Sequence, residues 1–115
     1  MATRLPYPAT NYSEGVEIIS DQSSVEAKPQ VIIDVGNATR VLTYTRPSGT
    51  VSTLDLTIWD FINGEWYKKN SCEDELTGDG NEVRQWEVYP DTTIGFTVSA
   101  ISGGGTVSVR IRGFR

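Results

Sequence analysis

Histidine is missing from all 115 residues, and with it the usual general base at neutral pH and the commonest zinc ligand. A single cysteine, Cys72, excludes an internal disulfide framework and any cysteine-rich metal site. Long apolar runs are missing too. The longest is three residues, Val31 to Ile33, against the roughly 20 that a helix needs to span a bilayer. Basic residues are few, ten against fifteen acids. The net charge of −5 counts against general attraction to nucleic acid or to an anionic membrane. No stretch sustains a helical period.

What is present is the alternation and turn chemistry of an all-β chain. The apolar fraction of 37% is enough for one core in a chain of this length. Short strands are expected at Val16–Ser20, Gln30–Val35 and Thr39–Thr45, the last stopped by Pro47-Ser48-Gly49. Thr53–Ile62 has the clearest period of two: Leu54, Leu56 and Ile58 face one side, Asp55, Thr57 and Trp59 the other. Asn63-Gly64 matches a two-residue type I′ turn, whose central residues both need positive φ. Glu65–Lys69 then returns alongside, bringing Trp66 near Phe61. A long acidic loop is expected at 70–82 and a further strand at Val83–Tyr89. Thr93–Ile101 places Ile94, Phe96, Val98 and Ala100 on one face. Gly103-Gly104-Gly105 turns the chain, and Thr106–Phe114 comes back with Val107, Val109 and Ile111 inward. Strands at this spacing predict an antiparallel β-sandwich over residues 16–115, of jelly-roll or immunoglobulin-like type. The immunoglobulin disulfide is impossible with one cysteine.

Residues 1–15 have no period of either kind, and Pro6 and Pro8 cannot donate to a ladder. Met1–Pro8 has no apolar core, so no secretory signal is expected there. The segment reads either as a frayed terminus or as an extended N-terminal arm whose Leu5, Tyr7 and Tyr12 anchor on another chain.

Several groups of residues invite a chemical reading. The acids between Cys72 and Glu82 have the composition of a calcium loop. They do not fall at the alternate positions of a helix-loop-helix site, and no helix flanks them. A solvated or partner-facing loop is the expectation, with no metal and no cofactor. Acids placed next to Cys72 raise a thiol pKa and blunt its reactivity. Paired carboxylates are unavoidable among fifteen acids, and no serine has a plausible base, so no catalytic residue is assigned. The aromatics Trp59, Trp66, Tyr67, Trp86 and Tyr89 suggest a platform for stacking on a sugar, with the three tryptophans the leading candidates; packing and protein contact are the competing roles. Arg110, Arg112 and Arg115 line one face of the last strand with no acid among them. That positive edge and the acidic loop could meet between neighbouring copies, an association that salt would weaken.

The Thr53–Lys69 hairpin with Asn63-Gly64, together with Thr93–Arg112 folded at Gly103–Gly105, resembles the small β-sandwich decoration (cement) and appendage proteins of tailed-bacteriophage virions. The resemblance is one of architecture over residues 16–115, without a diagnostic motif. It implies a structural protein made in the host cytoplasm and located in the virion. It would bind a major capsid or other virion protein and form a homo-oligomer, a trimer or array. The implied contact residues are Leu5, Tyr7 and Tyr12 in the arm, with Arg110 and Arg112. The alternative is a carbohydrate-binding module that uses exposed tryptophans.

Overall fold

The computed structural model describes residues 3–4, 15–76 and 80–114, with the backbone alone for 3–4 and 70–76. Leu5, Tyr7 and Tyr12 lie outside the described residues. The described chain is all β: β1 Thr3–Arg4, β2 Val16–Gln22, β3 Ile33–Asp34, β4 Arg40–Ser48, β5 Thr53–Ile62, β6 Glu65–Leu76, β7 Glu82–Glu87, β8 Thr93–Ser102 and β9 Thr106–Phe114. Sheet A has the order β1-β3-β8-β5-β6 and sheet B the order β2-β9-β4-β7. All pairs are antiparallel except β1 with β3, where Thr3 lies opposite Ile33 and Arg4 opposite Asp34.

The pairing is nested. β5 pairs with β6, β4 with β7, β3 with β8 and β2 with β9. β4 also pairs with β9, and β5 with β8, which completes the two sheets. The chain is in effect one long hairpin with its tip at Asn63-Gly64, folded over itself. From β2 onward, only β5 and β6 are consecutive strands in the same sheet. That tip forms as the sequence dictates: Asn63 and Gly64 take φ of 52° and 79°, the left-handed pair of a type I′ turn.

One core lies between the sheets. Leu54, Leu56, Ile58, Ile94, Phe96 and Val98 come from sheet A, and Val41, Trp86, Val107, Val109 and Ile111 from sheet B, all buried. Register shifts adjust the alternation locally. A shift between Glu17 and Ile19 accompanies the burial of both Ile18 and Ile19. Another between Asp55 and Leu56 places Ala100 opposite Asp55, so Ala100 leaves the core face on which simple alternation puts it.

Four other expectations are corrected. Gly103–Gly105 does not lay β9 beside β8, because these strands lie in different sheets. The glycines form a corner, with Gly105 N–H donating to Thr50 O at 2.7 Å and Ser52 N–H to Ser102 O at 2.8 Å. A Cβ on Gly105 would lie 2.5 Å from Ser48 O and 2.6 Å from Thr50 O. The corner therefore closes only without a side chain there. β4 runs through Pro47, opposite Val107; β7 reaches only to the Thr45/Glu82 pair, so no ladder on that side is interrupted. β3 is two residues rather than six: residues 30–32 join no ladder, and Asp34 Oδ1 accepts the Gly36 amide at 2.9 Å, which ends the strand one residue early. Finally, β6 continues to Leu76, opposite Leu54, where a loop was expected from residue 70. The first half of β5 needs a ladder partner, and that demand overrides the low strand propensity of the acidic residues.

Candidate functional site

Two faces and one end of the molecule carry the candidate residues. On the outer face of sheet A, the predicted neighbours Phe61 and Trp66 lie opposite one another, with ring centroids 4.7 Å apart at 53°. Trp59 sits on the same face, its indole N–H donating to Thr97 Oγ1 at 2.9 Å. Lys68 Nζ lies 6.0 Å from its ring centroid. Trp66 reaches over Gly95 beside Pro29: a Cβ on Gly95 would be 2.6 Å from Trp66 Cη2 and 2.7 Å from Pro29 Cβ. Both tryptophans are thus half-buried and packed on the sheet. The β2–β3 connection reinforces this cover, since Glu26 N–H donates to Val98 O and Val98 N–H to Glu26 Oε1, each at 3.0 Å. Burial holds the Glu26 carboxyl above its ordinary pKa, a rise that the Val98 hydrogen bond partly opposes.

Trp86 does not belong with them. It lies in sheet B with its side chain in the core, edge-on to Phe96 at 5.1 Å. Its N–H donates to Thr43 Oγ1 at 2.9 Å, and it is only 6% exposed. A ring placed there cannot stack on a ligand, and the three-tryptophan platform reduces to Trp59 and Trp66.

The outer face of sheet B carries the arginines. β9 lies between β2 and β4, so Arg110 and Arg112 stand on a face and not on a sheet edge as the charge reading supposed. Register places Arg110 between Glu17 and Tyr44, Arg112 opposite Leu42, and Phe114 opposite Arg40. Arg46 lies opposite Ser108. The Arg112 guanidinium stacks 4.9 Å from the Phe114 ring centroid and 5.9 Å from that of Tyr44. It also donates to Tyr44 Oη at 3.3 Å. Arg110 donates to Gly15 O at 2.6 Å. A hollow of about 450 Å³ opens beside Tyr44, Arg46, Val83 and Arg110, with Glu17 and Glu82 at its walls. Glu17 and Glu87 are the acids in register with this face.

Cys72 and the acids at 73–75 lie in the part of β6 described by backbone alone, and residues 77–79 lie outside the described residues. Among the described residues, no group of three or more Cys, Asp or Glu is placed to hold a metal ion. Comparison with protein-family models, with curated proteins and with solved structures finds no match.

Sequence reasoning counted Tyr89 among the stacking aromatics but did not find the end of the molecule where it stands, at the β5–β6 turn. There Tyr89, 76% exposed, stands on the β7–β8 connection. Tyr89-Pro90-Asp91 was also read as a strand end, and nothing local to those residues places the ring beside Asn63 of that turn.

Proposed function

We propose that the chain is a non-catalytic structural module of a bacteriophage particle, a decoration protein that stabilises the shell through repeated protein–protein contacts. Its partners are a major capsid or other virion protein and further copies of itself. The observation that carries this reading is the outer face of sheet B. Arginine and aromatic side chains are the types enriched in protein interfaces and their energetic centres. Here Arg112 is already held between Tyr44 and Phe114, which reduces the side-chain ordering that association requires.

The sheet ends favour contact through faces. β2 has two register shifts, and the terminal strands β6 and β7 are rich in charged residues, both devices that blunt open edges. The strand order supports the finer fold assignment. With β2–β9 counted as eight strands, first pairs with last, second with seventh, third with sixth and fourth with fifth. This order matches the wrapping proposed here, that of a jelly roll, an architecture of capsid and lectin domains. In this reading Leu5, Tyr7 and Tyr12 anchor the arm on the partner, and contacts repeated over many copies add up by avidity.

Native mass by light scattering, at two protein concentrations and two salt levels, tests the proposal. A trimer or larger assembly that loosens at high salt supports it; a strict monomer in all four conditions counts against it. The second reading, a carbohydrate-binding module, is favoured by Trp59 and Trp66 sharing one outer face, and quenching of tryptophan fluorescence by oligosaccharides tests it.

A further inference from the structure

The end of the molecule around Tyr89 has the features of a small-molecule site. The Val88–Thr92 connection is tied down on several sides. Val88 N–H donates to Thr39 O at 3.1 Å, Asp91 N–H to Gly36 O at 2.7 Å, and Val35 N–H to Thr92 O at 3.2 Å. Thr93 Oγ1–H donates to Phe61 O at 2.6 Å, which fastens the start of β8 to the end of β5. A segment held this way displays Tyr89 in a fixed place, yet leaves its ring in water. An exposed aromatic on a rigid mount loses little freedom on binding, which is what a stacking residue needs.

Two hollows share Tyr89 in their walls. One, about 450 Å³, has Phe61, Val88 and Ile94 as its apolar surface, with Asp60, Asn63 and Asp91 supplying polar groups. The other, about 480 Å³, is lined by Arg40, Gln85 and Glu87 among others. Lys69, Val88 and Tyr89 belong to both. Each is in the size range of small-molecule sites. Lys69 is paired with Asp60 at 3.9 Å, and both hollows mix acids with bases, so neither presents a field of one sign. Asn63 and Asp91, beside the first hollow, are two of the three non-glycine residues with positive φ among those described.

We propose that this end binds a neutral oligosaccharide that straddles Tyr89. A sugar ring stacks on the phenol. Hydroxyls on one side pair with Asp60, Asn63 and Asp91, and those on the other with Gln85 and Glu87. Carboxylates and amides accept from and donate to vicinal hydroxyls without a compensating ligand charge. Acids and bases stand together on both sides, which disfavours a strongly anionic or cationic ligand. The site adjoins both faces, since Phe61 touches Trp66 and Glu87 stands opposite Arg40 on sheet B, but it is centred on Tyr89 and does not require self-association.

The test is titration of the ¹⁵N-labelled full chain with cellotriose, maltotriose and chitotriose, followed by amide chemical shifts. The expected result is saturable shifts from at least one of them, centred on residues 60–63, 69 and 88–93. Tyr89→Ala weakens that binding at least tenfold, while Tyr89→Phe and Trp59→Ala retain it. Tyr89 is exposed, so the alanine variant folds, and its undisturbed amide spectrum elsewhere verifies this. No saturable shift with any of the three, shifts centred on Trp59 and Trp66, or unchanged binding by Tyr89→Ala would each overturn the proposal.

Discussion

Gly95 shows how one missing side chain fixes a surface. Its Cα carries the rim of Trp66 on one side and Pro29 on the other, and the added Cβ of alanine would meet both at under 3 Å. The consequence is steric, because no positive φ is involved. Gly95→Ala is expected to destabilise the fold by about 1–3 kcal/mol, the usual range for overpacking. Because Trp66 is the obstacle, the Gly95→Ala penalty should shrink when measured in a Trp66→Ala background, and chemical denaturation of the four members of the cycle measures that coupling. Equal penalties in both backgrounds would show that the contact does not matter. At this scale the sequence was informative about pairs and silent about sides. Phe61 and Trp66 were legible because a two-residue turn dictates their register. The burial of Trp86 was not, since β7 has alternating sides and nothing local says which one faces the core. The arginines of β9 were correctly placed away from Val107, Val109 and Ile111, but whether β9 lay inside or at the border of its sheet could not be read.

The elements divide along the same line. The β5–β6 turn was legible because its chemistry is contained in two residues. Gly64→Ala should cost about 1–2 kcal/mol, the penalty for a side chain in the left-handed region, with no packing term because nothing lies within 4 Å of the added Cβ. Gly105→Ala should cost more than Gly64→Ala, since its Cβ meets backbone at Ser48 and Thr50, and backbone cannot move aside as a side-chain tip can. Thermal melts of the two variants under identical conditions check the order, and a milder effect at Gly105 would contradict the corner's geometry. The length of β6 was illegible for a complementary reason. Its second half is strand because β5 offers a ladder there, a fact about a partner and not about the acidic residues themselves. Pro47 likewise marks a strand stop locally, yet sits inside β4 because no β7 residue is opposite it.

For the whole molecule, the fold class was legible and the wrapping was not. Alternation announces strands, but it does not say that β8 and β9 part company at a glycine corner. Pairings between the first and last strands close large loops before contacts repay the entropy, so folding is expected in milliseconds to seconds. The β2–β3 connection, latched to β8 through Glu26, adds a pH dependence. Its pKa is raised in the folded state above the ordinary 4.5, so the folded protein binds its proton more tightly than the unfolded chain does. That stability is fully present below the unfolded value and is lost as pH rises through the raised one. Glu26→Gln, which keeps an oxygen to accept the Val98 amide, should therefore raise the melting temperature at pH 7 and leave it little changed at pH 4. A lower melting temperature at pH 7 would mean that the carboxylate charge stabilises the latch.

The proposed function stands or falls on the arginine–aromatic face of sheet B as a contact surface. Arg46 and Arg110 are both exposed, so reversing their charge leaves the core untouched. Sedimentation velocity of the wild-type chain beside Arg46→Glu/Arg110→Glu, at matched concentration and low salt, tests it most directly. An assembly of several 12.7 kDa chains is expected for the wild type and a folded monomer for the variant. A variant that assembles as well as the wild type would contradict it.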